Sequence, residues 1–256
     1  MGFAIMVSTT AAVAAPTVTT THSGSSTGLA GSLVSGDLLS GLIATELPGD
    51  KGWHPANPAS GNSLHPNGLP AFTDDVNNTG LAGLLNDFPG AGTPAKIIRY
   101  DLAAAADIRQ IQILSGNDGA DGRVFSTTAI RYSADGGGTY APLGYFHSDP
   151  LGTVNTGTWR STLVDITDDS GPVLASGVTN LIFEFYAVDN TQGQYRDPFD
   201  GVNPFTGVDD GLNAAIASPL IWEINAVAIP EPAACVLLAC GIAAAARLRR
   251  AQQRTV

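Results

Sequence analysis

From residue 96 onward, short segments rich in β-branched and aromatic residues alternate with clusters of Gly, Asp and Asn. This pattern is typical of short strands joined by turns. It predicts at least seven strands, at residues 96–102, 108–114, 127–133, 140–146, 159–166, 180–188 and 220–229. Residues 38–47 fit either a short helix or a first strand, and residues 49–70 have the composition of a loop.

Alternation of side chains is clearest in residues 180–188. Leu181, Phe183 and Phe185 fall on one face of this predicted strand. Ile182 and Tyr186 make the opposite face apolar as well, which predicts a central strand. Turn sequences such as Asp-Gly-Gly-Gly at residues 135–138 join neighbouring strands. The predicted fold is therefore all-β: an antiparallel, jelly-roll-like β-sandwich, with an apolar helix at the C-terminal end.

Composition supports this prediction and excludes some partners. The chain has 256 residues, of which 44% are hydrophobic and 14% charged, with 30 Gly and 16 Pro. That suits about one globular domain with appendages, and the scarcity of Glu and Lys argues against a helical bundle. The formal net charge is -11, so the body repels phosphates and no nucleic acid partner is expected. Its abundant Asp suits solubility or divalent cations.

The N-terminal segment, residues 1–15, is apolar and ends in small residues, like a secretory signal peptide. A basic start is missing, because the first Lys or Arg is Lys51. We expect cleavage near Ala14 or Ala15; the alternative is a buried apolar strand. Residues 16–36 are rich in Ser, Thr and Gly and predict a flexible leader. The β-sandwich domain is then expected to span residues 37–229.

The C-terminal segment, residues 230–256, combines three elements in order. They are Pro230, Glu231 and Pro232; an uncharged run at 233–246; and Arg247, Arg249 and Arg250. As a helix the run spans about 21 Å, short of a hydrocarbon core of about 30 Å. Arginines after an apolar run hold that end on the cytoplasmic side, so the body lies outside the inner membrane. The prolines leave an extended, accessible segment before the membrane.

This tripartite tail resembles the PEP-CTERM sorting signal of Gram-negative bacteria. The resemblance implies recognition by an exosortase, a membrane-embedded transpeptidase-like enzyme, followed by removal of the tail. The protein would then reach the cell surface or the extracellular matrix, often in bacteria that form biofilms and secrete exopolysaccharide. The three residues of the Pro-Glu-Pro motif would be a substrate site rather than an active site. The alternative is an ordinary C-terminal membrane anchor.

Two segments of the body resemble galactose-binding-like, or discoidin-type, jelly rolls. One is the hairpin at residues 130–140, with its Ser-Ala-Asp-Gly turn and aromatic flanks. The other is the loop at residues 71–75, which is similar to a Leu-Thr-Asp-Gly stretch with Asp75 in place of the glycine.

Candidate ligands concentrate in a long loop at residues 189–216. Its carboxylates suit calcium, which prefers hard oxygen ligands on a pliable loop: Asp189, Asp197, Asp200, Asp209 and Asp210. Its aromatic residues Tyr195, Phe199 and Phe205 suit a carbohydrate site. The simpler alternative is a solvated acidic loop, since no EF-hand spacing is present. A second acidic turn, residues 117–122, fits either a calcium-binding loop or an ordinary turn. His54 and His65 support metal binding only weakly.

Catalysis finds little support in the sequence. It contains no nucleophile elbow, zinc-protease motif or phosphate-binding glycine loop. Glu184 and Glu223 are a conceivable glycosidase pair, but outward-facing strand positions are the simpler account. We therefore expect a noncatalytic structural or adhesive protein of the surface or biofilm. The alternatives are a calcium-assisted carbohydrate-binding module that binds extracellular polysaccharide and, third, a glycan hydrolase.

Overall fold

The computed structural model describes residues 16–56, 68–77, 80–116, 123–149, 158–188 and 196–230. These residues form a predominantly β, antiparallel and nearly closed sheet, which confirms the all-β prediction. The strands are β1 Pro16–Ser23, β2 Thr45–Glu46, β3 Lys96–Gly116, β4 Thr127–Ser133, β5 Ala141–His147, β6 Ser161–Asp168, β7 Ala175–Tyr186 and β8 Leu220–Ala228. The predicted signal peptide and C-terminal apolar helix lie outside the described residues.

The long strand β3 organises the sheet. The strand order is β1-β6-β3-β7-β4-β5, and β2 and β8 also pair with β3. The first part of β3 pairs with β7 and β2, and its last part pairs with β6 and β8. The sequence predicts two strands here, at 96–102 and 108–114. They are joined because an exposed, alanine-rich bulge between Asp101 and Ile108 shifts the register without ending the strand.

Strand β7 is central, as its two apolar faces predict. It lies between β3 and β4. Leu181, Phe183 and Phe185 are fully buried in the main core, and Tyr186 on the other face is also buried. The β4–β5 hairpin is likewise present where the Asp-Gly-Gly-Gly turn predicts it.

The start of the predicted flexible leader is instead a strand. β1 pairs with β6 along its whole length, from Pro16 opposite Asp168 to Ser23 opposite Ser161. The segment is mostly Thr and Val, and these β-branched residues favour an extended backbone that covers the edge of β6. Residues 16–23 therefore belong to the described sheet, although their composition predicts a flexible leader. Residues 38–47 form turns and the short strand β2 rather than a helix.

Strand β8 runs between two ends of the described domain, which we name by the segments that meet β8 there. Ala228 lies opposite Ile108 beside the alanine bulge, and Leu220 lies opposite Gly116. We call the first of these the tail end, because the chain continues from it to the Pro-Glu-Pro motif. We call the second the loop end, because residues 196–219 lead into β8 there.

Candidate functional site

A buried carboxyl group lies in the middle of β8. Glu223 is opposite Leu114 of β3 and only 1% exposed. Neither of its carboxyl oxygens has a hydrogen-bond partner of good geometry within the described residues, although the Asp75 amide is close enough to lower its pKa. Burial, and then the charges of the nearby carboxylates of Asp74, Asp75 and Asp37, raise the pKa of Glu223 to about 9. A carboxyl group without a partner is costly to bury, so this position calls for a physical explanation.

Three aspartates surround Glu223, and we call the four residues the Glu223 cluster. Asp37 is held against β8, because its Oδ1 accepts the amides of Leu39 and Ala226, each at 2.8 Å. The Ser40 hydroxyl lies 3.0 Å from Oδ2 of Asp37 and 3.3 Å from Oδ1 of Asp75. Burial, and then the charge of Asp75, raises the pKa of both Asp37 and Asp74. These carboxyls therefore repel one another when ionised, and each raised pKa favours the protonated form of its group.

The loop that carries two of these aspartates is fixed by its backbone. The Thr73 hydroxyl donates to the carbonyl of Leu42 at 2.6 Å, and the Thr73 carbonyl accepts the amide of Gly41 at 2.7 Å. Asp75 has a φ of 60°, in the left-handed region that glycine adopts most readily and that Asp tolerates better than most residues. Asp75 thus takes the conformation that a Thr-Asp-Gly sequence would require there, and adds a carboxylate.

A second buried polar group lies next to the cluster. The Tyr100 side chain is 1% exposed, and its hydroxyl has no hydrogen-bond partner of good geometry among the described residues, although the Thr73 hydroxyl is close to it. Burial raises the pKa of Tyr100, and the charges of Glu223 and Asp37 contribute to the shift. Its hydroxyl is therefore neutral and available as an oxygen ligand or a donor.

The Glu223 cluster is the set of carboxyl groups in which a hard cation would offset both burial and mutual repulsion. Asp74 and Asp75 are exposed, so an ion could enter from solvent. Across the described ranges, however, no three His, Cys, Asp or Glu side chains are arranged to hold one metal ion together. Calcium takes six to eight oxygens, including carbonyls and waters. Glu223 and one aspartate would therefore supply the charge, with neutral oxygens completing the shell.

The described aspartates that the sequence predicts to bind calcium in the long loop accept hydrogen bonds from amides of the same loop. Asp197 accepts the Phe199 amide at 2.8 Å, and its own amide donates to Asp210 at 3.1 Å. Asp209 and Asp200 accept the amides of residues 211 and 214 at 2.8 and 2.7 Å. These bonds fold the loop upon itself, and none of these carboxylates is a buried group without a partner. Asp189 lies outside the described residues.

The aromatic residues predicted to bind carbohydrate separate into different environments. Phe199 is 9% exposed and packs against Tyr186, whereas Phe205 is 45% exposed. Phe205 stacks on Tyr145 with ring centroids 4.6 Å apart and an interplanar angle of 6°. Tyr195 lies outside the described residues. Phe205 is therefore the exposed aromatic residue of this set. We call Phe205 and the Tyr145 ring on which it stacks the Phe205 platform.

Further apolar side chains are exposed on the same loop end. Phe88 is 66% exposed and has a φ of 53°, a left-handed conformation that is strained for a bulky residue. Its amide donates to the carbonyl of Ile216 at 2.9 Å, which joins the two loops. Val202 and Val208 are 64% and 59% exposed. Large exposed apolar groups on adjoining loops are typical of a binding surface, and sequence patterns alone do not predict which loop residues stay exposed.

The remaining predicted positions do not form a catalytic or metal site among the described residues. Glu184 pairs with Arg131 and lies opposite Ile97, whereas Glu223 lies opposite Leu114 on another part of β3. The two carboxyls therefore have different partners and surroundings. His54 lies 3.3 Å from an oxygen of Asp87, which also pairs with Arg123. His65 and the turn at 117–122 lie outside the described ranges.

Comparisons with protein-family models and with curated proteins found no match to this chain. No helix within the described residues is long and apolar enough to cross a membrane.

Proposed function

We propose that the chain is an exported, noncatalytic surface or matrix protein whose C-terminal tail directs its sorting. In this proposal a jelly-roll-like β-sandwich is followed by an apolar helix that tethers it transiently to the inner membrane. The observation that carries the proposal is the position of the Pro-Glu-Pro motif. Strand β8 ends at Ala228, and the motif begins at Pro230, immediately outside the folded domain. A processing enzyme of the exosortase type could reach the exposed Pro230 without unfolding β8.

The test is a fractionation of cells that encode the protein. The wild-type chain is expected at the cell surface or in the medium, shortened at its C-terminal end. A variant with Pro230→Ala, Glu231→Ala and Pro232→Ala should remain full length in the inner membrane. A matched variant with alanines at Gln252 and Gln253, beyond the arginines, should behave as the wild type. Identical location and mass for all three chains would contradict the proposal.

A second candidate function is calcium-assisted binding of extracellular polysaccharide at the loop end. Two observations favour it. The first is the exposed Phe205 ring stacked on Tyr145, since flat aromatic faces beside polar groups suit sugar rings. The second is the buried carboxyl of Glu223, whose proton a calcium ion would displace on binding. In this proposal the ion stabilises the domain from the Glu223 cluster, and the loop end contacts the glycan.

Retention on immobilised polysaccharide from the producing cells tests this candidate. We expect retention in calcium that falls at least several-fold with Phe205→Ala. Val18→Ala, at a 38% exposed position on β1, is the matched control and should not change retention. Chelator should weaken retention by loosening the fold. Equal retention of both variants, or none for the wild type, would exclude the loop end as a glycan site.

A further inference from the structure

The tail end of the domain carries an apolar groove. Its volume is about 540 Å³, and it is lined by Leu38, residues 102–107 of the alanine bulge, Gly177 and residues 228–230. Ala103, Ala104 and Ala105 are exposed at this bulge. Within the described chain, the single charged residue in the lining is Asp107. The groove is therefore nearly uncharged, in a protein with 23 acidic and 12 basic residues.

The chain leaves the domain through this groove along a fixed path. The Ile229 amide donates to the Asp107 carbonyl at 2.8 Å, and an Asp107 carboxylate oxygen accepts the Gly177 amide at 2.8 Å. Pro230 is itself part of the lining. A membrane that held the segment after Pro230 would therefore also keep the groove close to its surface.

The number of residues between Pro230 and the uncharged run limits the distance between the groove and the membrane. The uncharged run starts at Ala233, three residues after Pro230. Even a fully extended chain would separate the two by only about 11 Å. As a helix the run spans about 21 Å, less than a hydrocarbon core of about 30 Å. Such a short span draws its flanking residues towards the lipid, so the groove would lie at the headgroups.

We propose that, in the membrane-tethered form, the alanine-lined groove rests on the lipid surface and the loop end faces away from it. This inference rests on the proposed function, because it requires residues 233–246 to enter the membrane. Strand β8 has nine residues and is about 30 Å long, which separates the loop end from the bilayer by that distance. The tether thereby orients the domain, with the Phe205 platform directed outward before release.

An environment-sensitive fluorophore tests the orientation in the full chain. Cys235→Ala and Cys240→Ala remove the native thiols and keep the run apolar. Ala104→Cys then places the label at the groove, and Val208→Cys places it at the exposed loop end as the matched control. Each protein is mixed with vesicles of phosphatidylethanolamine and phosphatidylglycerol that contain brominated acyl chains. Flotation of the vesicles measures tethering separately.

The expected result is flotation of both proteins, with at least two-fold stronger bromine quenching at position 104 than at 208. Equal quenching at the two positions in proteins that float would overturn the orientation and leave the tether intact. Absence of flotation would overturn the tether and, with it, the orientation. Ala105→Cys provides a second groove position, and it should agree with Ala104→Cys.

Discussion

At the scale of single residues, small polar side chains determine the shape of the turns. In the β4–β5 hairpin the Ser133 hydroxyl donates to Asp135 at 2.6 Å, and Asp135 in turn accepts the Thr139 amide at 2.9 Å. Gly136 and Gly137 take left-handed conformations in the same turn. The bonds of Ser133 and Asp135 are mostly local to the turn, which explains why the position of this hairpin is predictable from the sequence.

The same turn has a predictable dependence on pH. The hydrogen bonds from Ser133 and Thr139 lower the pKa of Asp135 to about 2. Because the folded-state value lies below the ordinary value of about 3.9, the stabilisation is present above that value and is lost as the pH falls towards 2. Urea unfolding at a series of pH values should show a shallower acid-side loss for Asp135→Asn. Asp169→Asn, at an exposed turn, is the control and should retain the wild-type slope.

Glu223 permits a second prediction at this scale, which concerns calcium. If the Glu223 cluster binds the ion, calcium at a hundred times its dissociation constant adds about 2.7 kcal/mol to the free energy of unfolding. For a domain of this size that is an increase of roughly 5–10 °C in Tm. Glu223→Gln keeps the shape of the side chain and should abolish the increase, as measured by calorimetry with and without chelator.

Asp209→Asn, in the long loop, tests the competing location for the ion. It should leave the calcium-dependent increase in Tm intact. Loss of the increase in this variant, with persistence in Glu223→Gln, would place the ion in the loop instead.

At the scale of elements, close backbone packing sets what the strands can contain. Gly116 ends β3 directly beside the ring of Trp222, and a Cβ at that position would lie 2.0 Å from the ring. Trp222 in turn fills a small core with Leu114 and Leu163. The end of β3 therefore requires glycine because of contacts between strands that are distant in the sequence.

Gly116→Ala should accordingly destabilise the domain. Overpacking against a buried ring costs about 1–3 kcal/mol, which denaturant unfolding can measure. Gly171→Ala is the matched control, because no atom lies within 4 Å of the added Cβ. It should leave the free energy of unfolding within about 0.5 kcal/mol of the wild-type value. Similar losses in both variants would contradict the packing argument.

The pairing of β1 with β6 gives the second prediction for the elements. Amide hydrogen exchange should be slow at alternate residues of 16–23, where the amides face β6, and comparable to exchange in β6 itself. Residues 35–36, which lie outside the strands, should exchange much faster. Uniformly fast exchange over 16–23 would contradict the pairing and support the flexible leader that the composition predicts.

At the scale of the whole molecule, β8 leads from the loop end at Leu220 to the tail end at Ala228, two residues before the Pro-Glu-Pro motif begins. Location in the cell and retention on polysaccharide should therefore be separable properties. Replacing the Pro-Glu-Pro motif with alanines should change location and leave retention by the purified protein unchanged. Phe205→Ala should reduce retention and leave location unchanged. Fractionation and column retention of both variants provide the measurement, and a variant that alters both properties would contradict this division.

Much of the fold follows from local sequence patterns. Period-two alternation and turn residues locate β4 to β8 within a few residues, because side-chain direction along a strand depends only on neighbouring positions. The uncharged run between the Pro-Glu-Pro motif and the arginines is likewise evident from order and spacing alone. The same local cues fail for β1, because its Thr-rich composition predicts a flexible leader. Its strand conformation depends on pairing with β6, which is distant in the sequence.

The sequence by itself thus determined the all-β class, the approximate strands and the order of the tail elements. Only the tertiary structure decided that β3 is one bulged strand, that Asp37, Asp74 and Asp75 surround Glu223, and that Phe205 is exposed while Phe199 is buried. The physical reason is the range of the interactions. Strand propensity and turn geometry act between neighbours in the chain, whereas burial and charge interactions depend on which distant segments the closed sheet brings together.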